Sequence, residues 1–282
     1  LNENMPAAVQ LFEKLLADAQ VNKEAYTNMT SDILKARSDA KLNQGQNFSR
    51  LMSFAMYGPK SPATNLLTEA ELTNMNPQEL VDRIHNQNSY KHRILYYGPS
   101  SSKDLLATIN QYHQVPAALK DIPAGNEYSY LETPVTKVLV APYDAKQIYM
   151  AQISNLDKKY DPAIEPIRAL YDEYFGGGMN SIVFQEMRET RGLAYSAWAS
   201  IMPPSYLKYP YVLRTQIATQ NDKMIDAVTT FNDIINNMPE SEAAFKLAKD
   251  GLTNRLRTER IIKGDIIWSY ICLLYTSDAA DD

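Results

Sequence analysis

Apolar residues recur every three or four positions through the first 88 residues, which is the spacing of amphipathic helices. The series Phe48, Leu51 and Phe54 is one example. Several of these series begin beside residues that cap a helix or suit its first turn. The predicted helix starts lie at Pro6, at Asn22, at Thr68 with Glu71 three positions later, and at Asn76 followed by Pro77.

The pattern changes after residue 88. Residues 90–98 are rich in Tyr, Ile and Leu and run into a Gly-Pro pair, which predicts a strand that ends in a turn. Ser101 or Ser102 can cap the amphipathic helix that follows. Residues 114–135 contain three prolines and a glycine, so we expect an extended linker with a domain boundary inside it.

Strand-like and helix-like segments alternate in pairs through the second half of the chain. The predicted strands cover 136–143, 146–154, 194–202 and 211–219, and the predicted helices cover about 162–175, 180–190, 221–237 and 241–262. This order of two strands, two helices, two strands and two helices predicts an α+β fold. The helices should pack on one face of a mainly antiparallel sheet.

Composition excludes some classes of function. The net charge of −5 and the pI of about 5.4 provide no broad cationic surface for phosphate contacts, so a nucleic-acid-binding role is not expected. The sequence contains no apolar run near the roughly 20 residues that span a bilayer. Because the chain begins at Leu1 with polar residues after it, we expect it to be a piece of a longer protein.

The end of the chain breaks the preceding pattern. Cys272 is the only cysteine, so it cannot form a disulfide within the chain. Residues 272–282 replace the amphipathic pattern with a small acidic tail that resembles translated adapter sequence, so we expect them to be non-native. The compartment stays open, with the periplasm and the cytoplasm of a bacterium as the alternatives.

The histidines lack the spacing of a zinc-binding helix. His85, His92 and His113 form neither H-E-x-x-H nor H-x-x-E-H, in which one helix turn brings two imidazoles to one metal. No G-x-S-x-G elbow occurs, and no glycine run ends in Gly-Lys-Ser or Gly-Lys-Thr as a phosphate loop does. We therefore expect structural or solvent-facing histidines and no metal site in this chain.

Three consecutive glycines stand out because the chain has only ten. Gly176, Gly177 and Gly178 follow a predicted helix and precede another, for which Asn180 or Ser181 can serve as the cap. Glycine adopts positive φ without steric cost and allows close approach of backbones. The run is therefore expected to end one helix and to let the next pack closely.

The helix after the glycines presents a candidate site. Arg188 follows Phe184 by one turn, and Gly192 is expected to end the helix before Tyr195 begins a strand. A guanidinium and a phenol at such a corner offer hydrogen-bond donors to a peptide backbone or to a developing oxyanion. The alternative places Arg188 in a surface ion pair with Glu186 or Glu189, and Tyr195 in ordinary strand packing.

The stretch GGGMNSIVFQEMRETRGLAYS resembles the signature of the C-terminal type of domain in the M16 metallopeptidases, the insulinase or pitrilysin family. The resemblance covers most of the chain and implies four parts. Residues 1–125 would be the mostly helical end of a preceding α+β domain, 126–135 a linker, 136–271 the C-terminal-type domain, and 272–282 the non-native tail.

The resemblance also implies that two halves of the enzyme contribute different residues to the active site. In this family one half holds Zn²⁺ through H-x-x-E-H and a downstream Glu, and the other half contributes an Arg and a Tyr that reach the substrate in a closed chamber. By position in the motif these two are Arg188 and Tyr195. The zinc-bearing half would lie upstream in the same polypeptide or on a separate subunit, so this chain alone is expected not to cleave peptides.

Three functions are therefore compared. The first is the peptide-binding, non-zinc half of a bacterial zinc endopeptidase. The second is a non-catalytic structural homologue, similar to the core subunits of respiratory complexes. The third is a module that binds peptides at an exposed sheet edge without catalysis.

Overall fold

The computed structural model describes residues 2–204, 206–262 and 264–278. The chain divides into two compact units. Unit 1 comprises Leu1–Ala36, Leu67–Asn126 and Arg260–Asp282, and unit 2 comprises Arg37–Leu66 and Glu127–Glu259. Each unit thus combines separate stretches of sequence, whereas the domain limits drawn from the sequence were continuous and stay a prediction.

The described residues form helices and three strands, joined by loops and short helical turns. The helices are α1 (Met5–Ala17), α2 (Lys23–Lys41), α3 (Gln44–Tyr57), α4 (Glu69–Asn74), α5 (Gln78–His85), α6 (Ser102–Tyr112), α7 (Glu165–Phe175), α8 (Ile182–Phe184), α9 (Met224–Asn236), α10 (Glu242–Thr258) and α11 (Gly264–Asp278). The strands are β1 (Gln147–Lys159), β2 (Ser196–Met202) and β3 (Pro210–Gln220). No described helix is long and apolar enough to cross a membrane.

Local capping explains where several helices begin. Thr68 and Glu71 form the predicted capping box at α4, since each side chain accepts a hydrogen bond from the other's backbone N–H. Ser101 caps α6 by accepting from the N–H of Asp104 at 3.2 Å. Both predicted starts are confirmed.

The strand predicted at residues 90–98 is wrong. Those residues form a single parallel bridge, between Tyr90 and Lys120, and otherwise lie outside strands. Ser89 and Lys91 hold this bridge through backbone hydrogen bonds of 2.8 Å to Lys120. A strand needs a neighbour along its length, and the described part of unit 1 provides a neighbour for one residue only.

The sheet of unit 2 is antiparallel, with β3 between β1 and β2. Met150 of β1 and Ala197 of β2 both lie opposite Ile217 of β3, which fixes the register. Three of the four strands predicted in this half are therefore confirmed. The fourth, at 136–143, is wrong because those residues are not in a strand, and they leave Val138 83% and Val140 78% exposed.

The main core of unit 2 lies on one face of this sheet. Side chains of α7, α8, α9 and the helical turns after α8 meet small and branched residues of the strands there: Phe175, Ile182, Val183, Met187, Ala197, Ala199, Ile217, Ala227, Phe231 and Ile234. The predicted α+β class is confirmed. In addition, α3 reaches the opposite face, where Phe48 packs edge to face on Tyr149 with ring centroids 5.6 Å apart.

Candidate functional site

The glycine run passes close to the backbone of β2. A Cβ atom on Gly176 would lie 2.2 Å from the carbonyl oxygen of Ala199, and one on Gly177 would lie 2.7 Å from that of Asp172. A Cβ atom on Gly178 would meet nothing nearer than 3.9 Å. The first two glycines are therefore required by close backbone approach, while the third is not.

Ser181 begins the helical segment that carries the candidate arginine. Its hydroxyl accepts from the N–H of Phe184 at 3.4 Å and donates to the carbonyl of Gly178 at 2.6 Å. Of the two predicted caps, Ser181 fills the position, and Asn180 lies exposed in the preceding turn. The α-helical turn Ile182–Phe184 continues as a wider π-helix over Gln185–Thr190, a form often found at functional sites.

A tight corner joins this π-helix to β2. Gly192 has a φ of 57°, which a glycine adopts without strain, and its carbonyl accepts from the ammonium of Lys223 at 2.9 Å. The carbonyl of Met187 accepts from the N–H of both Leu193 and Ala194, at 2.8 and 3.1 Å. These bonds determine the direction in which the chain reaches Tyr195, whose N–H donates to the carbonyl of Ala218 at 2.8 Å. Tyr195 immediately precedes β2 instead of beginning it.

The structure brings Arg188, Tyr195 and Phe184 together at this corner. The guanidinium carbon of Arg188 lies 5.5 Å from the ring centroid of Tyr195 and 5.1 Å from that of Phe184. The Arg188 side chain is 44% exposed, and Tyr195 is 70% exposed. Aromatic faces therefore orient the cation while its N–H groups stay accessible to solvent.

The surface ion pair that the alternative predicted for Arg188 is also present, but it is long. Arg188 lies 3.6 Å from a carboxylate oxygen of Glu189, whereas Glu186 pairs with Arg191 at 3.3 Å. Exposed pairs of this kind contribute between zero and about 1 kcal/mol. The pair with Glu189 leaves most of the guanidinium's donor positions for another acceptor.

A second arginine cluster in unit 2 was not singled out from the sequence. Arg168 of α7 contacts Glu165 at 2.9 Å and Asp172 at 2.8 Å, and it donates to the carbonyl of Ile201 at 3.0 Å. The spacing of these three charged residues, one and two turns apart on a helix, was the available signal. We call Arg168, Glu165, Asp172, Ser200, Ile201 and Tyr211 the α7 cluster, since hydrogen bonds join all of them.

The carboxylates of the α7 cluster differ in electrostatics. Burial raises the pKa of Asp172 even though the N–H of Ile201, the Ser200 hydroxyl and Arg168 stabilise its charged form. Burial acts in the same direction on Glu165, but hydrogen bonds from Arg168 and Tyr211 outweigh it and lower its pKa. Both carboxylates are hydrogen-bonded to other members of the cluster, so we assign the cluster a structural role.

The outer edge of β2 is occupied over part of its length. The N–H and carbonyl of Ile201 bond to Asp172 and Arg168, and Gly176 packs on the backbone of Ala199. These groups are the ones that an added peptide strand would need. The third function, peptide binding at an open sheet edge, is therefore disfavoured at this end of β2.

The described residues contain no cluster of three or more His, Cys, Asp and Glu side chains that could hold a metal ion. His92 and His113 do meet, but with their nitrogens in hydrogen-bonding contact. The residues that the structure describes therefore do not fit a catalytic zinc, which keeps three protein ligands.

Several solved structures share this fold. The peptidase M16 inactive domain from Pseudomonas fluorescens matches with a TM-score of 0.59 and 17% identity over 89% of this chain and 61% of that one. The periplasmic protease PqqL from Escherichia coli matches with a TM-score of 0.69 and 14% identity over 96% of this chain and 30% of that one. The ferredoxin protease FusC, solved as a variant in complex with Arabidopsis ferredoxin, matches with a TM-score of 0.60 and 11% identity over 90% of this chain and 28% of that one.

The sequence identifies the family more directly. Residues 94–252, more than half of the chain, match the family model described as the Peptidase M16 inactive domain, and the chain belongs to that family. The resemblance of the GGGMNSIVFQEMRETRGLAYS stretch is thus confirmed. No curated protein sequence matches the chain. Since the chain spans 61%, 30% and 28% of the three structures named above, the activity of a whole protease is not established for it.

Proposed function

We propose that this chain is the substrate-contacting, non-zinc part of an M16 endopeptidase, and that Arg188 and Tyr195 bind the peptide near the bond to be cleaved. The observation that supports this is the exposed guanidinium of Arg188, oriented by two aromatic rings beside an exposed phenol. A residue that served only packing or an ion pair would not need this arrangement.

The chemistry offered by the pair is hydrogen-bond donation. A guanidinium carries five N–H donors, and the phenol of Tyr195 adds an O–H. Peptide cleavage places negative charge on the carbonyl oxygen, and donors already in position stabilise that charge without reorganising. Because the π-helix and the Gly192 corner hold both residues, the donors are arranged before substrate arrives.

The hydrolytic centre belongs to a second half in this proposal. Zn²⁺ and its ligands would lie upstream in the same polypeptide or on a separate subunit, as the family resemblance implies. One structural neighbour is a periplasmic protease, and another is a protease in complex with a protein, ferredoxin. For this chain we propose peptides or unfolded segments as substrates.

The test compares variants of this chain assembled with the zinc-bearing half. Arg188→Ala and Tyr195→Phe should each lower kcat/KM by about 10- to 1000-fold, as loss of an oxyanion donor does. Arg191→Ala is the matched control, because Arg191 lies on the same helical segment but pairs with Glu186, and it should leave kcat/KM unchanged.

Two results would contradict the proposal. Unchanged kcat/KM in folded Arg188→Ala and Tyr195→Phe assemblies would show that these two residues do not contact the reacting peptide, whereas an assembly with no hydrolysis at all would favour the non-catalytic structural homologue. Hydrolysis of a peptide by this chain alone, lost on treatment with EDTA, would show that the chemistry does not need another half.

A further inference from the structure

A carboxylate and two histidines form a continuous line of hydrogen bonds in unit 1. The Nε2 atoms of His92 and His113 lie 2.8 Å apart. Nδ1 of His113 lies 2.7 Å from a carboxylate oxygen of Glu13, and Nδ1 of His92 lies 2.7 Å from the carbonyl oxygen of Tyr90. The other carboxylate oxygen of Glu13 accepts from the amide of Asn88 at 2.9 Å.

The hydrogen bonds along this line require three ring N–H hydrogens. Two neutral imidazole rings carry only two. The carbonyl oxygen of Tyr90 accepts only, so Nδ1 of His92 carries its hydrogen. The carboxylate of Glu13, when ionised, also accepts only, so Nδ1 of His113 carries a hydrogen too. Two neutral rings would then direct bare lone pairs at each other across 2.8 Å, and one further proton is needed between them.

The geometry favours a proton over a metal ion in that position. The ring centroids are 4.9 Å apart while the nitrogens are 2.8 Å apart, so the nitrogens lie between the rings, nearly end to end. A metal ion placed between two facing nitrogens needs about 2.0 to 2.1 Å to each, or roughly 4 Å in total. The observed separation fits a hydrogen bond.

We propose that His92 and His113 share one proton, and that this contact is a pH-sensitive clasp within unit 1. Glu13 lies on α1, His113 directly follows α6, and His92 lies on the segment after α5. The clasp therefore connects three parts of unit 1 that are far apart in sequence. His113 and Glu13 are largely buried, with 11% and 16% of their side chains exposed, so water replaces the bond between them poorly. His92 is exposed and reaches His113 from the solvent side.

The segments that carry or adjoin the clasp also hold other charged residues. Lys91 pairs with Asp121 at 2.5 Å, and the ammonium of Lys120 lies 5.9 Å from the ring centroid of Tyr90. Lys14 of α1 and His85 of α5 line a cleft of about 580 Å³ to which Glu13 also contributes. In the described part of unit 1, the Glu13 carboxylate is the anion bonded to the histidine pair.

The sign of the pH effect follows from the proton count. Loss of the shared proton leaves two lone pairs in contact across 2.8 Å, so the clasp weakens as the pH rises. At lower pH a second proton would give both Nε2 atoms a hydrogen and make the rings repel. The contribution to stability should therefore be largest while a single proton lies between the two rings.

Thermal unfolding of the whole chain across pH tests the clasp. Between pH 6 and 8.5 the wild-type Tm should fall by about 2–4 °C more than that of His92→Gln, in which no ring proton can be shared. His85→Gln is the control, because it removes a titrating imidazole outside the clasp and should keep the wild-type profile. Identical profiles for wild type and His92→Gln would overturn the proposal.

Nuclear magnetic resonance gives a second, independent measurement. The chain has three histidines, so labelling histidine with ¹⁵N gives three ring systems that the two Gln variants assign. At pH 6 we expect Nδ1–H on both His92 and His113 and a single Nε2 proton coupled to both rings. Separate Nε2–H signals on two independently titrating rings, or a Tm raised by Zn²⁺ alone at pH 8 and dependent on both histidines, would contradict a shared proton.

Discussion

Arg168 and Arg188 both lie in unit 2, and their surroundings use the guanidinium in opposite ways. Arg168 bonds to Glu165, Asp172 and the carbonyl of Ile201 and is largely buried. Arg188 rests on two ring faces, has one weak ion pair at 3.6 Å, and is 44% exposed. The first guanidinium has protein partners on several sides, while the second still presents donors to solvent.

Because of this difference, we expect Arg168 to contribute to stability and Arg188 to contribute to binding. A buried polar network with its bonds made holds elements together, and here the α7 cluster connects α7 to β2 and β3. An exposed cation held by weak contacts adds little to stability but keeps its hydrogen-bonding capacity. We therefore expect substitutions in the α7 cluster to destabilise the chain, and substitutions at Arg188 to affect mainly the binding of a ligand.

The largest effect on stability should come from Gly176, the residue that directly follows α7. Gly176→Ala would place a Cβ atom 2.2 Å from a backbone oxygen of Ala199, a clash that no side-chain rotation relieves. We expect the free energy of unfolding to fall by about 3 kcal/mol, the upper part of the range for overpacking. Urea denaturation would measure it. Gly178→Ala, which meets open space, is the control and should change the value little.

A smaller loss should follow from breaking the α7 cluster. Asp172→Ala removes the acceptor of the Ile201 N–H and the Ser200 hydroxyl, and we expect a loss of about 2–3 kcal/mol by the same measurement. Asp172→Asn keeps the volume and one acceptor, so it should lose less. Equal stability of both variants and the wild type would contradict the structural role of this cluster.

The smallest change in stability should occur at the candidate site. Arg188→Ala removes only ring contacts and an exposed ion pair, so unfolding should change by less than about 0.5 kcal/mol. The same variant should lower kcat/KM in the assembly with a zinc-bearing half. A loss of stability as large as that of Asp172→Ala would place Arg188 among the structural residues and remove the contrast between the two clusters.

Some features of the fold followed from short stretches of sequence. The caps at Thr68 and Ser101 were predictable because each involves residues within one helical turn. The proximity of Phe184 and Arg188 followed from helical spacing, and Gly192 from its place at the end of that segment. The requirement for residues without a side chain in the glycine run was also predicted, although the sequence did not distinguish Gly176 from Gly178.

Other features depended on distant partners. Residues 136–143 have the apolar content of a strand, yet no described segment pairs with them. The Asp172 contacts to Ser200 and Ile201 join residues 28 and 29 positions apart, and His113 meets Glu13 100 positions away. Spacing within a segment gives no information on such contacts.

The sequence by itself determined the family, the α+β class, the starts of several helices and the motif that carries Arg188 and Tyr195, because these depend on local spacing and turn chemistry. The tertiary structure decided which strands find partners, which arginine is buried among carboxylates, and which histidines share a hydrogen bond. The physical reason is that burial and hydrogen-bond pairing depend on residues that meet only after the chain has folded.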